Sequence, residues 1–350
     1  MRIAMLAPIA WRTPPRQYGP WELVTSLLTE ALVARGIDIT LFATLDSVTA
    51  ARLDGVAPAS YNEDPSIDAK VWEHRHLAHL FEQAGRFDII HNQADFPAHA
   101  FSNLVDTPIV TTIHGFSSDR ILPMYLPYED RVHFVAISDA DRHPELKYAA
   151  TIHHGIPFGD FPLDRVGSED LLFFGRIHPD KGPAEAIHAA HAAGRTLHMY
   201  GIVQDADYHA RDVAPHVDGE RVRYHGVVGG TERLTALGHA RALLHLINFD
   251  EPFGLSVIEA MACGTPVIAM RRGSMAELIE EGVTGFLIDH VDQAPAAIEA
   301  AGALDRATVR SAAEARFGID RMTDAYLDLY HRITDQRASP ASRTTIAAKL

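Results

Sequence analysis

Residues 251–266 read E-P-F-G-L-S-V-I-E-A-M-A-C-G-T-P, and this stretch decides the fold. Apolar runs typical of buried strands stand on both sides of it, at 242–248 and 266–270. A strand, a loop, a helix and a second strand form the βαβ unit of a parallel sheet, whose ligands bind beyond the carboxyl ends of the strands. We therefore expect Glu251 on a loop at that edge and Glu259 inside the helix. The first amides of such a helix have no intrahelical partner and favour an anion.

The stretch closely resembles the E-x7-E segment of retaining GT-B glycosyltransferases of family 4, the glycogen-synthase-like group that uses nucleotide sugars. The resemblance implies that Glu251 lies near the anomeric centre of the donor sugar and that Glu259 hydrogen-bonds the ribose of the nucleotide. It also implies donor diphosphate contacts from the start of the helix, at Phe253, Gly254 and Leu255. Spacing alone leaves an alternative open, because Ser256 and Glu259 also fit a capping box. Glu251 would then be a solvated loop acid.

The bulk composition narrows the class of protein. A chain of 350 residues exceeds the usual size of a single core, so two domains are expected. The net charge of −15 argues against nucleic acid and against an anionic bilayer as partner. The single cysteine, Cys263, suits a reducing compartment and lies in an apolar helical run, where a core position is expected. With no leader and no membrane-length apolar run, we expect a cytoplasmic monomer or homodimer without stable membrane insertion.

Apolar runs alternate with helical patterns along the whole chain, which is typical of an α/β protein. The first series of runs lies at 2–7, 38–43, 88–92, 108–114, 133–138 and 151–155, and the second at 170–175, 196–200, 221–226, 242–248, 266–270 and 284–288. A helix is predicted between the first two runs, from 21 to 35, and Gly36 ends it. The pattern predicts two doubly wound, Rossmann-like domains in tandem.

A seam rich in Pro, Gly and Asp at 156–167 separates the two series. We expect a first domain at 1–160, a second at 161–318 and a frayed tail at 336–350. The GT-B resemblance implies that the first domain binds the acceptor and the second the donor nucleotide, with the chemistry in the cleft. In that fold the last helix often crosses back onto the first domain, and 319–335 is the candidate.

Residues 175–182 read G-R-I-H-P-D-K-G and form a second informative stretch. Lys181 is predicted at a helix start, where the helix dipole disfavours a cation, so an anion is expected beside it. The stretch resembles the family's G-R-x4-K-G element, which implies that Arg176 and Lys181 bind the donor diphosphate and stabilise it as it leaves, without a metal. Spacing alone leaves open that both are surface cations paired with Asp180 or Glu185.

Contacts to the nucleobase fall on two strand ends of the second series. The resemblance implies that Val203, Gly226 and Val227 frame the base. Ordinary core strand ends are the alternative, and residue identity does not distinguish uracil, guanine and adenine. A UDP-sugar is expected in preference to a GDP- or ADP-sugar, with no cofactor.

The long, Pro-stiffened loop after the first run is the candidate acceptor site. Aromatic rings stack on sugar faces and arginines meet acidic groups, so acceptor contacts are predicted at Trp11, Arg12, Arg16 and Tyr18. Many relatives carry Gly-Gly here to approach the donor phosphate, whereas this chain has Tyr18-Gly19-Pro20 and matches only at Gly19. A packing loop or hinge is the alternative.

His114 ends a predicted strand and precedes a glycine, as does the family residue that contacts the transferred sugar. A hydrogen-bonded structural histidine is the alternative for a lone strand-end residue. The chain has 21 histidines, but none of the recognised metal-ligand spacings, so no metal site is predicted.

These features predict a retaining, metal-independent glycosyltransferase that moves a hexosyl unit from a nucleoside diphosphate sugar to a hydroxyl acceptor. Two alternatives stay open. One is an inverting transferase or sugar-nucleotide epimerase on the same fold, with His114 as general base. The other is a non-catalytic protein that binds nucleotide sugars.

Overall fold

The computed structural model describes residues 1–115 and 118–338. The chain forms two compact units, one from Met1–Gly155 together with the C-terminal helix from Ile319, the other from Ile156–Gly318. The boundary lies after residue 155, whereas the sequence pattern predicts it after residue 160. The C-terminal helix reaches Ala338, so 336–338 are helical and not frayed. The rest of the predicted tail lies outside the described residues.

The strands are short and lie where apolar runs occur. In chain order they are β1 Arg2–Leu6, β2 Asp38–Phe42, β3 Arg52–Asp54, β4 Ile89–Asn92, β5 Ile109–Ile113, β6 Val132–Ala136, β7 Tyr148–Thr151, β8 Leu171–Phe174, β9 Leu197–Tyr200, β10 Val222–Tyr224, β11 Ala242–His245, β12 Val267–Met270 and β13 Gly285–Ile288. Sequence reasoning missed β3, which is short and not buried, and placed β7 at 151–155.

The helices connect successive strands. In chain order they are α1 Pro20–Ala34, α2 Ala69–Phe81, α3 Leu122–Tyr125, α4 Pro183–Ala192, α5 Ala206–Tyr208, α6 Gly230–His239, α7 Leu255–Ala262, α8 Met275–Leu278, α9 Ala294–Ala301, α10 Arg306–Phe317 and α11 Ile319–Ala338. α1 begins at a proline, whose missing amide hydrogen costs nothing in the first turn, and Gly36 follows its end at a φ of 78°.

Each unit is built on one sheet, and the described strands pair in parallel throughout. The first sheet has the order β3-β2-β1-β4-β5-β6-β7 and the second has the order β10-β9-β8-β11-β12-β13. Both faces of such sheets are covered by helices, so their strands are apolar throughout, as Ile3 to Leu6 in β1 illustrate. The predicted class, two tandem Rossmann-like α/β units, is confirmed.

The strand order places the ligand-binding edge of each sheet. Chain order reverses between β1 and β4 in the first sheet and between β8 and β11 in the second. The connections from the two neighbours of such a switch point leave in opposite directions, and a crevice opens outside the carboxyl ends of the strands. We therefore expect functional residues on the loops that follow β1, β4, β8 and β11.

Candidate functional site

The loop after β8 passes very close to the end of β11. Pro179–Lys181 form a single 3-10 turn, and Gly182 follows with a φ of 67°. A Cβ atom on Gly182 would lie 1.8 Å from the carbonyl oxygen of Leu246, which follows β11. Only glycine permits this approach, because it lacks the Cβ and tolerates positive φ. The approach brings Lys181 beside the residues that follow β11.

Asn248 fastens the two loops together. Its backbone amide donates to the carbonyl of Asp180 at 2.7 Å, and its side-chain amide donates to the carboxylate of Glu185 at 2.8 Å. The carboxylate of Asp180 lies 3.4 Å from His178 Nδ1. Asp180 and Glu185 therefore have partners other than Arg176 and Lys181. The surface pairing that spacing alone left open is not seen among the described residues.

Lys181 and Glu251 meet at the switch point, although 70 positions separate them in the sequence. The Lys181 ammonium donates to Oε2 of Glu251, and both side chains are largely buried. His245, the last residue of β11, lies with Nε2 3.4 Å from the same oxygen. Burial alone raises the pKa of Glu251, but His245 and the charge of Lys181 outweigh burial and lower this pKa to about 2. Glu251 is therefore ionised throughout the physiological pH range.

Arg176 contributes an uncompensated positive charge at the same edge. It follows β8 and is partly exposed, and its guanidinium donates to the side-chain oxygen of Gln204. Gln204 is neutral, and no described carboxylate forms an ion pair with Arg176. A guanidinium without a carboxylate partner, on the same loop as the Lys181 ammonium, suits an anion with several oxygens.

α7 begins at this edge, and its first backbone amides point out of its N-terminal end. Its N-cap is Gly254 at a φ of 100°, with no side-chain capping bond. Ser274 Oγ donates to the carbonyl of the buried Phe253 at 2.6 Å and fixes the preceding turn. The amides that begin the helix at Leu255 add partial positive charge to the cations described above.

Glu259 lies on the buried face of α7 and forms an ion pair with Arg233 of α6. Because the helix begins at Leu255, Ser256 is a helical residue and not its N-cap, so the capping-box alternative is wrong. Burial raises the pKa of Glu259, and Arg233 opposes this effect. Sequence reasoning had no signal for Arg233, which joins the site through the packing of α6 against α7.

The predicted base-framing residues lie at the ends of β9 and β10. Gly201 donates its backbone amide to the carbonyl of Gly226 at 2.8 Å, and Val203 pairs with Ile177 in an isolated bridge. Val227 is 42% exposed and leaves an apolar surface for a ring. The structure thus separates Val203, which packs against the core, from Val227, which is open to a ligand.

The loop after β1 is held by a buried carboxylate that sequence reasoning missed. Glu22, in the first turn of α1, accepts the backbone amide of Trp11 at 3.0 Å. Burial raises the pKa of Glu22 to about 7. Gly19 precedes α1 with a φ of 146°, and a Cβ there would lie 2.9 Å from Pro15. The glycine is required by the fold of the loop as well as by any phosphate contact.

The four predicted acceptor residues lie on this loop with different freedom to bind. The Trp11 and Tyr18 rings form an edge-to-face pair with centroids 6.1 Å apart. Arg12 donates to the carbonyl of Pro14, while Arg16 donates to Glu63 at 2.7 Å and to Asp46 at 3.1 Å. Two carboxylates already engage Arg16, so the aromatic pair is the better supported part of this prediction.

His114 follows β5 as a buried, neutral ring. Its Nε2 lies 2.6 Å from Oε1 of Gln93, and its ring stacks between those of Trp21 and His154. Among the described residues, Nδ1 has no hydrogen-bond partner. Burial lowers the pKa of His114 to about 3. An amide oxygen accepts only, so His114 carries its proton on Nε2 and offers Nδ1 as an acceptor.

A buried polar network continues from Gln93 to the C-terminal helix. Gln93 Nε2 lies 3.2 Å from His91 Nε2, and Nδ1 of that ring lies 2.6 Å from the Tyr330 hydroxyl. Thr112 links His91 to the Tyr326 hydroxyl at 2.8 and 2.7 Å. The tyrosines of α11 thereby fix the strand that positions Gln93. No spacing in the sequence predicts these contacts, because they join α11 to β4 and β5 across more than 200 positions.

Two further findings concern metals and membranes. In residues 1–115 and 118–338 no group of three or more His, Cys, Asp or Glu side chains is arranged to hold a metal ion. Among the helices of that same part of the chain, none combines the length and apolar character of a membrane span.

Comparison with known proteins identifies the class. The family model "Glycosyl transferases group 1" matches residues 162–307, and "Glycosyltransferase Family 4" matches residues 22–164. AviGT4, a glycosyltransferase involved in avilamycin A biosynthesis, superposes with a TM-score of 0.72 over 96% of this chain and 98% of its own, at 22% identity. HepE of Anabaena, in complex with UDP, gives 0.72 over 94% and 99% at 18% identity.

The glycogen synthase of Mycobacterium tuberculosis is 27% identical over 342 residues, which is 81% of each chain. Fold and matches together define a glycosyltransferase with the GT-B fold. The chain belongs to glycosyltransferase family 4, and the transferase activity expected from the sequence is confirmed at this level.

Proposed function

We propose that this glycosyltransferase retains the anomeric configuration of its donor and moves a hexosyl unit from a UDP-sugar to a hydroxyl acceptor, without a metal. The observation that carries the proposal is the meeting of Lys181 and Glu251 at the β8–β11 switch point. Arg176, which has no carboxylate partner among the described residues, lies on the same loop after β8. A carboxylate next to two cations has the charges that a glycosyl diphosphate requires, negative opposite the sugar and positive around the phosphates.

The cations carry the leaving-group chemistry of the proposal. As the bond between the anomeric carbon and the diphosphate oxygen breaks, negative charge grows on the diphosphate. Arg176, Lys181 and the first amides of α7 stabilise that charge with groups that are already in position. They take the electrostatic role that a divalent cation has in other phosphate sites, which supports metal independence.

Glu251 acts as a permanent negative charge in this proposal. With a pKa of about 2 it holds no proton to give to the leaving group. It accepts hydrogen bonds from sugar hydroxyls and stabilises the positive charge that develops on the sugar ring. The acceptor oxygen bonds to the anomeric carbon on the face that the diphosphate leaves, and the acceptor proton passes to the diphosphate.

The properties of His114 support retention over the inverting alternative. A general base works best with a pKa near the operating pH, and burial lowers the pKa of His114 to about 3. Its Nε2 is engaged by Gln93, and Nδ1 accepts a hydrogen bond without taking the proton. We propose that His114 binds a hydroxyl of the transferred sugar and does not deprotonate the acceptor.

The choice of UDP rests on a solved neighbour. HepE, which shares the fold, is described in complex with UDP and also with UDP-glucose, the latter at a TM-score of 0.70 and 17% identity. Thermal-shift measurements with UDP, GDP and ADP test the nucleotide, since a ligand that binds the native state raises the melting temperature. UDP is expected to stabilise most, and preferential stabilisation by GDP or ADP contradicts this choice.

Retention is tested by NMR of the product. The protein is incubated with UDP-glucose, UDP-galactose or UDP-N-acetylglucosamine and a panel of hydroxyl acceptors, and the coupling of the anomeric proton at the new glycosidic bond is measured. An α-linked product from these α-linked donors is expected. A β-linked product contradicts retention.

A further inference from the structure

Arg233 and Glu259 form a buried ion pair between two helices that follow different strands. Arg233 lies in the first turn of α6 and Glu259 on the buried face of α7. The carboxylate side chain is 4% exposed and the guanidinium side chain is 25% exposed. Burying a carboxylate costs several kcal/mol unless a partner compensates, so this pair requires an explanation.

The carboxylate of Glu259 retains unused capacity to accept hydrogen bonds. An ionised carboxylate accepts at about four positions on two oxygens. Among the described residues, Arg233 is the only charged side chain that pairs with Glu259, at Oε1. The other charged side chains on the packed elements have partners elsewhere: His245 of β11 faces Glu251, and Arg306 and Arg310 of α10 donate to backbone carbonyls.

Arg233 is itself held in place from the side of β8. Its guanidinium lies 5.8 Å from the ring centroid of Phe174, at the end of that strand. Phe174 stacks with Tyr200, and Tyr200 stacks with His225 at a centroid distance of 4.5 Å. The contact is a cation–π interaction on a stacked series of rings, which restricts where the guanidinium can lie.

The same run of sequence carries the predicted base contacts. Gly226 and Val227 lead through two further glycines directly into α6, so Arg233 lies six positions after Val227. In a nucleoside the ribose is bonded directly to the base, so a base on that segment brings the ribose close to the start of α6. Ribose hydroxyls are hydrogen-bond donors, and the free lone pairs of Glu259 match them.

We propose that Arg233 is a positioning residue that orients the Glu259 carboxylate toward the ribose 2′- and 3′-hydroxyls and thereby selects ribonucleotide over deoxyribonucleotide donors. This inference rests on the proposed function, and specifically on the nucleoside diphosphate site. Arg233 acts through Glu259, so its loss weakens the contact between carboxylate and ribose without touching the reacting atoms.

The test couples Arg233 to the ribose hydroxyls. Affinities of UDP, 2′-deoxy-UDP and 3′-deoxy-UDP are measured by calorimetry for the parent protein and for Arg233→Met, Arg233→Lys and Glu259→Gln. Removal of a hydrogen bond to a charged group commonly weakens binding roughly 10- to 100-fold. UDP is expected to bind Arg233→Met that much more weakly. The two deoxy forms, which each keep one of the two hydroxyls, are expected to be weakened less, and Arg233→Lys is expected to recover part of the loss.

Two variants guard against a purely structural effect. Arg233→Met combined with Glu259→Gln removes both charges, so no buried carboxylate stays uncompensated, and it is expected to bind UDP as weakly as either single variant. Arg195→Met removes a surface arginine that pairs with Glu169 and Glu299 and is expected to leave UDP affinity unchanged. With a UDP-sugar, KM for the donor is expected to rise in Arg233→Met while kcat stays close to that of the parent.

The role of Arg233 and the proposed function are contradicted by different results. Equal weakening of UDP and both deoxy forms by Arg233→Met, or an unchanged affinity for all three, overturns the role of Arg233 and leaves the diphosphate site standing. Failure of UDP, GDP and ADP to bind the parent protein overturns the proposed function itself.

Discussion

The predicted site residues of the two units differ in how they handle charge. In the second unit the two predicted glutamates form ion pairs, Glu251 with Lys181 and Glu259 with Arg233. In the first unit the end of β5 holds a neutral hydrogen-bonded pair, His114 on Gln93, and the ion pairs of Arg16 lie on the loop after β1. Ionised groups suit an edge that stabilises a diphosphate, and neutral groups suit one that recognises hydroxyls without exchanging protons with them.

The largest consequence of this difference is expected in acid. Burial lowers the pKa of five buried histidines among the described residues of the first unit. It lowers the pKa to about 4 for His76 and His99, to about 3 for His91 and His114, and well below the ordinary value for His154. In the unfolded chain a histidine titrates near 6.5, so below that pH the unfolded state binds more protons and stability falls. Each such histidine lowers the free energy of unfolding by up to roughly 1.4 kcal/mol for every pH unit below 6.5, until the pH reaches its pKa in the folded state.

Glu22 and Asp95 in the first unit have raised pKa values and oppose this trend, but they are outnumbered. In the second unit, His225 has a lowered pKa, while Glu251 loses its contribution only as the pH falls from 4.5 toward 2. The first unit is therefore expected to unfold at a higher pH than the second.

The chain carries its own reporters for this experiment. All three tryptophans, at 11, 21 and 72, lie in the first unit, and the single cysteine, Cys263, is buried in the second. On acidification from pH 7 to pH 4, tryptophan fluorescence is expected to change before Cys263 reacts with 4,4′-dithiodipyridine. Simultaneous transitions, or earlier exposure of Cys263, contradict the comparison.

The next largest effect is expected at Lys181. Lys181→Ala removes one preorganised stabiliser of the leaving diphosphate, and loss of one such group typically lowers turnover about 10²- to 10³-fold. Steady-state kinetics with the preferred UDP-sugar and calorimetry with UDP measure the change. Lys147→Ala removes an exposed lysine that pairs with Glu129 and is the matched control. Kinetics of Lys181→Ala that equal those of the control remove Lys181 from the site.

The Lys181–Glu251 contact shows which parts of the site can be predicted from the sequence and which cannot. Both motifs, and the parallel α/β class that brings strand ends to one edge, could be read from local patterns. The pairing of those residues depends on which strands are neighbours, and the switch between β8 and β11 is a property of the sheet order. The sequence shows Gly182 only as one residue of a motif. Its close approach to Leu246 is seen only in the structure.

The residues that sequence reasoning missed share one property. Arg233, His245 and Gln93 belong to no motif, and each reaches its partner through tertiary packing. The C-terminal helix was expected from its apolar spacing, but its tyrosine hydroxyls bond to His91 and Thr112 on interior strands. Apolar periodicity predicts that such a face is buried and says nothing about which polar atoms it meets.

The smallest of the expected effects concerns Gln93. Gln93→Leu keeps the approximate volume of the side chain and removes the acceptor that holds His114 Nε2–H. If His114 positions a sugar hydroxyl, turnover is expected to fall about 10-fold, the usual effect of one neutral hydrogen bond, with little change in UDP affinity. Nitrogen-15 NMR of the histidine rings is expected to show a change in the tautomer of His114.

The matched control for this variant is Gln83→Leu. Gln83 follows α2 and bonds to Asp54 and His79, neither of which is a predicted site residue. It is expected to leave turnover and the His114 tautomer unchanged. A Gln93→Leu protein that matches this control would show that the contact between Gln93 and His114 is packing alone.

The most direct test of the proposed diphosphate site is a crystal structure of the protein with UDP. The β-phosphate is expected within hydrogen-bonding distance of Lys181 Nζ and the Arg176 guanidinium, and beside the first amides of α7. UDP bound elsewhere, with Lys181 still paired to Glu251 and Arg176 still on Gln204, would contradict this site.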